Sequence, residues 1–156
     1  AATPVIYGPD EDFPIGGSRV LRQSGDDRVA IVAAGITVPE ALAAADRLAA
    51  DGIAARVIDL YSVKPLDAAT LLAAARECPA GIVVVEDHWP EGGLAEAVAL
   101  ALAENAMATR ISSLAVRIMP GSATPEEELA GAGIDADAIV ESASRLAGSR
   151  AASATR

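Results

Sequence analysis

A chain of 156 residues is long enough for one domain, and since 52% of the residues are hydrophobic but only 3% aromatic, its core must be built from Ala, Val, Leu and Ile. Twelve basic and twenty-two acidic residues give a net charge of −10, which argues against nucleic acid or an anionic membrane as a partner. Cys78 is the only cysteine and no apolar run approaches the roughly 20 residues of a membrane span, so we expect a cytoplasmic protein in which Cys78 is a small buried hydrophobe.

An extended arm is predicted at residues 1–16. Its prolines disfavour helix and central strand, whereas Ile6, Tyr7 and Phe13 would gain from docking on the domain surface. The chain begins at Ala1 without an initiator methionine, which indicates either processing or a fragment of a longer polypeptide. We interpret the arm as a linker from a preceding domain.

Two strands should follow the arm, at residues 17–23 and 29–34, joined by a turn at Ser24–Asp27. A connection this short cannot contain the crossover that parallel neighbours need. We therefore predict that the two strands pair antiparallel, with the first strand at the edge of the sheet.

The chain then alternates between helix and strand. Thr37 and Glu40 have the spacing of a capping box at the start of a helix that ends near Gly52. Residues 56–60 read as a strand, and Asp67 is placed to cap the next helix. The remaining predicted elements are an interior strand at 82–86, a helix from Leu94, a strand at 111–118, a helix capped by Thr124 and Glu127, and a last helix from Asp135 to about Gly148.

These elements predict an α/β fold, a three-layer αβα sandwich. Its mixed five-stranded sheet should contain four parallel strands and one antiparallel edge strand. The domain would span residues 17–148, and the tail at 149–156, which has little apolar surface to bury, should be disordered.

The segment Glu86–Gly93 is the first candidate site, because it follows the interior strand and leads into a helix. Ligands of open α/β sheets bind at the carboxyl ends of strands. Gly92 and Gly93 would let backbone N–H groups approach an anion, and the imidazole of His88 can change charge near neutral pH. Alternatively, the glycines shape a turn, while Glu86, Asp87 and His88 anchor the loop or meet a neighbouring domain.

Two further loops are candidates. Lys64 and Asp67 follow another strand and could place a cation near the first loop, although helix capping explains much of Asp67. The loop at 117–122 exposes the hydroxyl of Ser122, although turn chemistry also accounts for it. The chain contains no nucleotide-binding glycine fingerprint, no hydrolase nucleophile elbow and no metal-ligand spacing.

The order and spacing of three segments, residues 29–67, 81–98 and 133–146, resemble the C-terminal domain of transketolase across nearly the whole chain. The arm is similar to the segment that joins this domain to the preceding one. The motifs V-x-D-x-x-x-x-K-P-L-D and E-D-H-x-x-x-G-G are shared with deoxyxylulose-phosphate synthase and with the beta subunits of 2-oxo-acid dehydrogenases. The arm and the string GIDADAI are more similar to transketolase.

The resemblance implies a parent enzyme of the pentose phosphate pathway that moves a two-carbon ketol unit between sugar phosphates, using thiamine diphosphate and Mg²⁺. In that family the metal motif and the activating glutamate lie in the preceding domains, so the resemblance assigns no catalytic, cofactor-binding or metal residue to this chain. It implies a structural and assembly domain whose partners are those thiamine-binding domains and the second subunit of a homodimer. We expect Glu86–Gly93, with Lys64 nearby, to face a partner domain or subunit.

Two alternatives remain open from the sequence. One is a stand-alone or regulatory module that binds a small anion at the strand-end loops. The other is a subunit of a split enzyme that is encoded separately and acts with a partner chain.

Overall fold

A computed structural model describes residues 3–148. The disordered tail predicted at 149–156 lies outside the described residues. The strands are β1 (Arg19–Arg22), β2 (Val29–Ala33), β3 (Ala55–Asp59), β4 (Gly81–Val85) and β5 (Ile111–Leu114). The helices are α1 (Thr37–Ala50), α2 (Ala68–Glu77), α3 (Leu94–Glu104), α4 (Pro125–Ala132) and α5 (Ala136–Gly148).

The strands form one sheet in the order β1-β3-β2-β4-β5. Strands β2 to β5 are parallel, while β1 runs antiparallel at the edge, as predicted. The predicted pairing of β1 with β2 is wrong, because β1 pairs with β3 instead. Every residue of β2 is fully buried, so this strand takes the middle of the sheet and uses both hydrogen-bonding edges for its parallel neighbours. The partly exposed β1 is left with the outer edge of β3.

Two apolar clusters, one on each face of the sheet, confirm the three-layer sandwich. Helices α1 and α5 cover one face and helices α2 and α3 cover the other. Successive residues of β2 alternate between the two clusters: Ile31 packs under α1 and α5, whereas Val32 packs under α2 and α3. Both faces of β4 are buried in the same way, which is why its sequence reads as an uninterrupted β-branched run.

The predicted helix caps at Asp67 and Thr124 are confirmed. The Asp67 carboxylate accepts a hydrogen bond from the Thr70 amide, and Thr124 forms a reciprocal capping box with Glu127. The capping box predicted at Thr37 and Glu40 is wrong. These two side chains make long-range contacts instead, since the Thr37 hydroxyl lies 3.1 Å from the carbonyl oxygen of Val85 and Glu40 accepts a hydrogen bond from the Ala136 amide at 2.9 Å.

None of the helices between residues 3 and 148 is long and apolar enough to cross a bilayer.

Cys78 ends α2 and is fully buried in the cluster beneath α2 and α3, as expected from the sequence. Burial raises the pKa of the Cys78 thiol to about 11, although the positive charge of Arg56 partly opposes the shift. At neutral pH the thiol is therefore protonated and shielded from solvent.

We predict that Cys78 in the folded protein reacts with Ellman's reagent at least about a hundredfold more slowly than an unperturbed thiol, whose pKa is about 8.5. The unfolded chain in guanidinium chloride, in which the same thiol is exposed, is the control and should react completely. Rapid reaction of the native protein would contradict the burial of Cys78.

Candidate functional site

Glu86 is the first residue after β4, and its carboxylate is buried against the amino terminus of α3. Oε1 accepts a hydrogen bond from the Ala95 amide at 3.1 Å, and Oε2 accepts one from the Leu94 amide. The residue is only 4% exposed. A carboxylate at this position satisfies amides that have no partner within the helix and interacts favourably with the helix dipole. The anion that binds these amides is therefore a side chain of the protein itself.

Gly93 lets the Glu86 carboxylate approach the helix. A Cβ atom at this position would lie 2.2 Å from Glu86 Oε2 and 2.7 Å from the carbonyl oxygen of Trp89, both too close for any residue with a side chain. The neighbouring Gly92 has a φ of +71°, and its amide donates to Glu96 Oε2 at 2.8 Å. Both glycines thus serve the local geometry of the loop.

The side chains of Asp87 and His88 point away from the core and are exposed. The loop backbone is tied to the segment after β5, because the amide of Val116 donates to the carbonyl of His88 at 2.9 Å. The Nδ1 atom of His88 lies 2.7 Å from the carbonyl oxygen of Trp89. In this geometry Asp87 and His88 are available to a partner outside the domain.

Asp67 and Lys64 lie in the loop after β3, which β2 separates from the loop after β4. Asp67 accepts hydrogen bonds from the hydroxyls of Ser18 and Thr70, both at 2.8 Å. Burial alone would raise the pKa of Asp67, but these hydroxyl donors and two backbone amides together lower it below its usual range. Lys64 is exposed, and no hydrogen bond or ion pair joins it or Asp67 to residues 86–93 in the described part of the chain.

The arm contributes a contact that sequence reasoning missed. The hydroxyl of Tyr7 donates to Asp59 Oδ2 at 2.6 Å, and Asp59 is the last residue of β3. Phe13 packs edge-to-face between Tyr7 and Tyr61, with ring centroids 4.8 and 5.1 Å apart. The arm is therefore fastened across the carboxyl end of the sheet.

Asp59 is a buried carboxyl with an incomplete set of hydrogen bonds. Among residues 3–148, its Oδ1 atom has no hydrogen-bond partner, and Oδ2 accepts a hydrogen bond from Tyr7 alone. Burial raises the pKa of Asp59, and the hydrogen bond from Tyr7 opposes this rise. The pKa of Tyr7 is also raised. Burial, the hydrogen bond to Asp59 and the negative charge of Asp59 all favour the neutral phenol. The sequence signal was an Asp at a strand end, which does not identify a partner 52 residues away.

The third candidate loop forms one side of a groove. Ile118, Met119 and Ser122 follow β5 and are exposed. Together with Ile36 and α4 this loop encloses a cavity of about 630 Å³, and a second cavity of about 400 Å³ lies beside it, against arm residues 3–7. The structure thus places open apolar surface at the carboxyl end of the sheet.

The described residues do not form a metal-binding site. Within residues 3–148, no group of three or more His, Cys, Asp or Glu side chains is arranged to hold a metal ion. Glu86, the buried carboxylate of the first candidate loop, already accepts hydrogen bonds from two amides.

Comparison with known proteins identifies one family. Residues 16–139 match the family model "Transketolase, C-terminal domain". The chain is 46% identical to bovine (Bos taurus) Transketolase-like protein 1 over 144 residues, which is 92% of this chain and 24% of that protein. It is 44% identical to mouse (Mus musculus) Transketolase over 142 residues, which is 91% of this chain and 23% of that protein.

A solved structure titled "Split gene transketolase, inactive beta4 tetramer" superposes with a TM-score of 0.87 at 36% identity. The match covers 95% of this chain and 48% of that one. The chain spans about a quarter of the length of the curated relatives it matches.

We predict that Glu86→Ala destabilises the fold by about 1–3 kcal/mol, because the amides of Leu94 and Ala95 would be left buried without an acceptor. Glu86→Gln keeps one acceptor oxygen and should cost less. Glu91→Ala, in the exposed part of the same loop, is the matched control and should change stability by less than about 0.5 kcal/mol. Urea unfolding followed by circular dichroism measures these differences, and equal stability of Glu86→Ala and Glu91→Ala would contradict the assignment.

We predict that one of the two tyrosines, Tyr7, ionises well above the usual pKa of about 10. Since the folded state favours the neutral phenol, the Tyr7–Asp59 contact contributes its full stability below that pH and loses it as the pH rises further. Ultraviolet titration of Tyr61→Phe, in which Tyr7 is the remaining tyrosine, should give a late phenolate transition. A normal transition of Tyr7 in this variant would mean that the arm is not fastened in solution.

Proposed function

Because the chain belongs to the transketolase family as a C-terminal domain, we propose that it is the structural and assembly domain of a transketolase and performs no chemistry by itself. The proposed parent enzyme transfers a two-carbon ketol unit between sugar phosphates in the pentose phosphate pathway, in the cytoplasm. The observation that carries the proposal is the engagement of Glu86, whose carboxylate caps α3 and is not free to act on a substrate. The match of residues 16–139 to the C-terminal domain model supports the same conclusion.

The cofactors of the parent enzyme, thiamine diphosphate and Mg²⁺, have no matching cluster of acidic or metal-binding side chains in the described part of this chain. Mg²⁺ takes oxygen ligands, and within residues 3–148 no group of three or more His, Cys, Asp or Glu side chains is arranged to hold a metal ion. We therefore derive no catalytic step from these residues and propose that both cofactors bind to other parts of the enzyme.

The proposed partners are the thiamine-binding part of the enzyme and the second subunit of a homodimer. Exposed Asp87 and His88, together with the apolar surface after β5, provide groups for such contacts. The likeness to a structure titled as a split-gene transketolase favours a second possibility for the form of the partner, in which the thiamine-binding part is a separate chain. The mass of the native gene product distinguishes the two forms.

A regulatory anion-binding module is less well supported. The amides at the start of α3 that would hold a small anion already bind the Glu86 carboxylate. Binding of a sugar phosphate there would require the displacement of a buried charged side chain.

We predict that the purified 156-residue chain, supplied with thiamine diphosphate, Mg²⁺, a ketose phosphate and an aldose phosphate, transfers no ketol unit. Calorimetry should detect no heat on addition of thiamine diphosphate or of either sugar phosphate. Mixing the chain with the separately produced thiamine-binding part of the same enzyme should give a complex on size-exclusion chromatography. Turnover by the chain alone, or failure to form the complex, would contradict the proposed function.

A further inference from the structure

The groove beside α4 is lined by exposed apolar side chains. Ile36 lies at the start of α1, while Ile118 and Met119 lie after β5, and all three line the cavity of about 630 Å³. They are 44%, 59% and 81% exposed, respectively. Scattered apolar residues are normal on a protein surface, but apolar residues gathered in one groove mark an interaction site.

The charge around the groove has one sign. Five of the lining side chains are Asp or Glu, and the lining contains neither Lys nor Arg. Asp87, Glu126 and Glu128 lie at this rim, and their carboxylates make no hydrogen bond or ion pair in the part of the chain that the structure describes. An occupant should therefore present apolar side chains to the groove and basic side chains to its rim.

A second copy of this chain does not meet this requirement. Two copies that met through the groove would place their acidic rims near each other, and each chain carries a net charge of −10. A partner with Lys or Arg beside its apolar contact residues would instead be attracted to the rim and pack against Met119.

We propose that this groove is the surface on which the thiamine-binding part of the transketolase docks, through apolar side chains flanked by Lys or Arg. The inference rests on the proposed function and adds to it the location and the chemistry of the interface. The contact extends from Ile36 across Asp87 to Met119 and α4, so it crosses the carboxyl end of the sheet without involving the buried carboxylate of Glu86.

The test is a titration of this chain into the separately produced thiamine-binding part of the same enzyme, followed by calorimetry. Met119→Asp should weaken binding by at least about tenfold, as expected for a central apolar contact. Leu100→Asp is the matched control, because Leu100 is 60% exposed but lies on α3, outside the groove. Both side chains are exposed, so neither variant should lower the thermal stability of the isolated chain.

A second pair of variants tests the charge requirement. Asp87→Lys should weaken binding and reduce its sensitivity to salt, whereas Glu104→Lys, at the exposed end of α3, should do neither. The proposal is supported if Met119→Asp and Asp87→Lys both weaken binding while the controls Leu100→Asp and Glu104→Lys do not. Unchanged binding by both variants, or weakening by Leu100→Asp instead, would overturn the groove as the interface while leaving the proposed function intact.

Failure of the wild-type chain to bind would instead refute the proposed function itself. Sedimentation of the isolated chain gives an independent check on the occupant. A dimer that Met119→Asp converts into a monomer would show that a second copy fills the groove, which would overturn the proposal.

Discussion

Burial of the central strands on both faces is the constraint on which the rest of the molecule depends. Every residue of β2 and β4 is buried beneath helices on one side or the other. Charged side chains cannot be placed within such strands without a large desolvation cost, so β2 and β4 contain only apolar residues and glycine. The polar contacts of Glu86, Asp59 and Thr37 with other parts of the domain all lie at the carboxyl end of the sheet.

That end of an open α/β sheet is where ligands usually bind, because loops and helix amino termini converge there. In this domain the protein's own groups occupy the same positions. The Glu86 carboxylate accepts hydrogen bonds from the first amides of α3, and Tyr7 of the arm donates a hydrogen bond to Asp59. Internal contacts thus engage the polar groups at the ends of β3 and β4, whereas the surface beside β5, where Met119 is exposed, is open. A domain with this distribution is suited to holding other domains in place.

Local patterns predicted the elements and several of their ends. The β-branched run of β4 identified a strand covered on both faces, and Asp67 and Thr124 could be recognised as caps because capping involves residues within one turn. The family, too, followed from the order of the motifs. These features share a dependence on residues close in sequence or on a fixed spacing.

Features that depend on residues far apart in sequence could not be predicted in the same way. The turn before β2 fixed the direction of β1 but not its neighbour, because β3 enters the sheet between them only later in the chain. Thr37 and Glu40 had the right spacing for a capping box, yet both side chains form hydrogen bonds elsewhere, Thr37 with Val85 and Glu40 with Ala136. The Tyr7–Asp59 contact joins two residues without any periodic pattern. Strand neighbours and side-chain partners of this kind depend on the packing of the whole domain.

Helix α4, which forms one wall of the groove, shows how local stability can favour an interface. Helix α4 has no fully buried residue, and its partly buried Leu129 and Ala132 pack against the core cluster beneath α1 and α5. The capping box of Thr124 and Glu127, the proline at its first turn and three glutamates that complement the helix dipole stabilise it further. A wall that is already helical before a partner arrives need not be ordered on binding, which removes part of the entropic cost of association. Because the glutamates both stabilise α4 and form the acidic rim, replacing them would alter two properties at once, whereas Met119 contributes apolar surface from outside the helix.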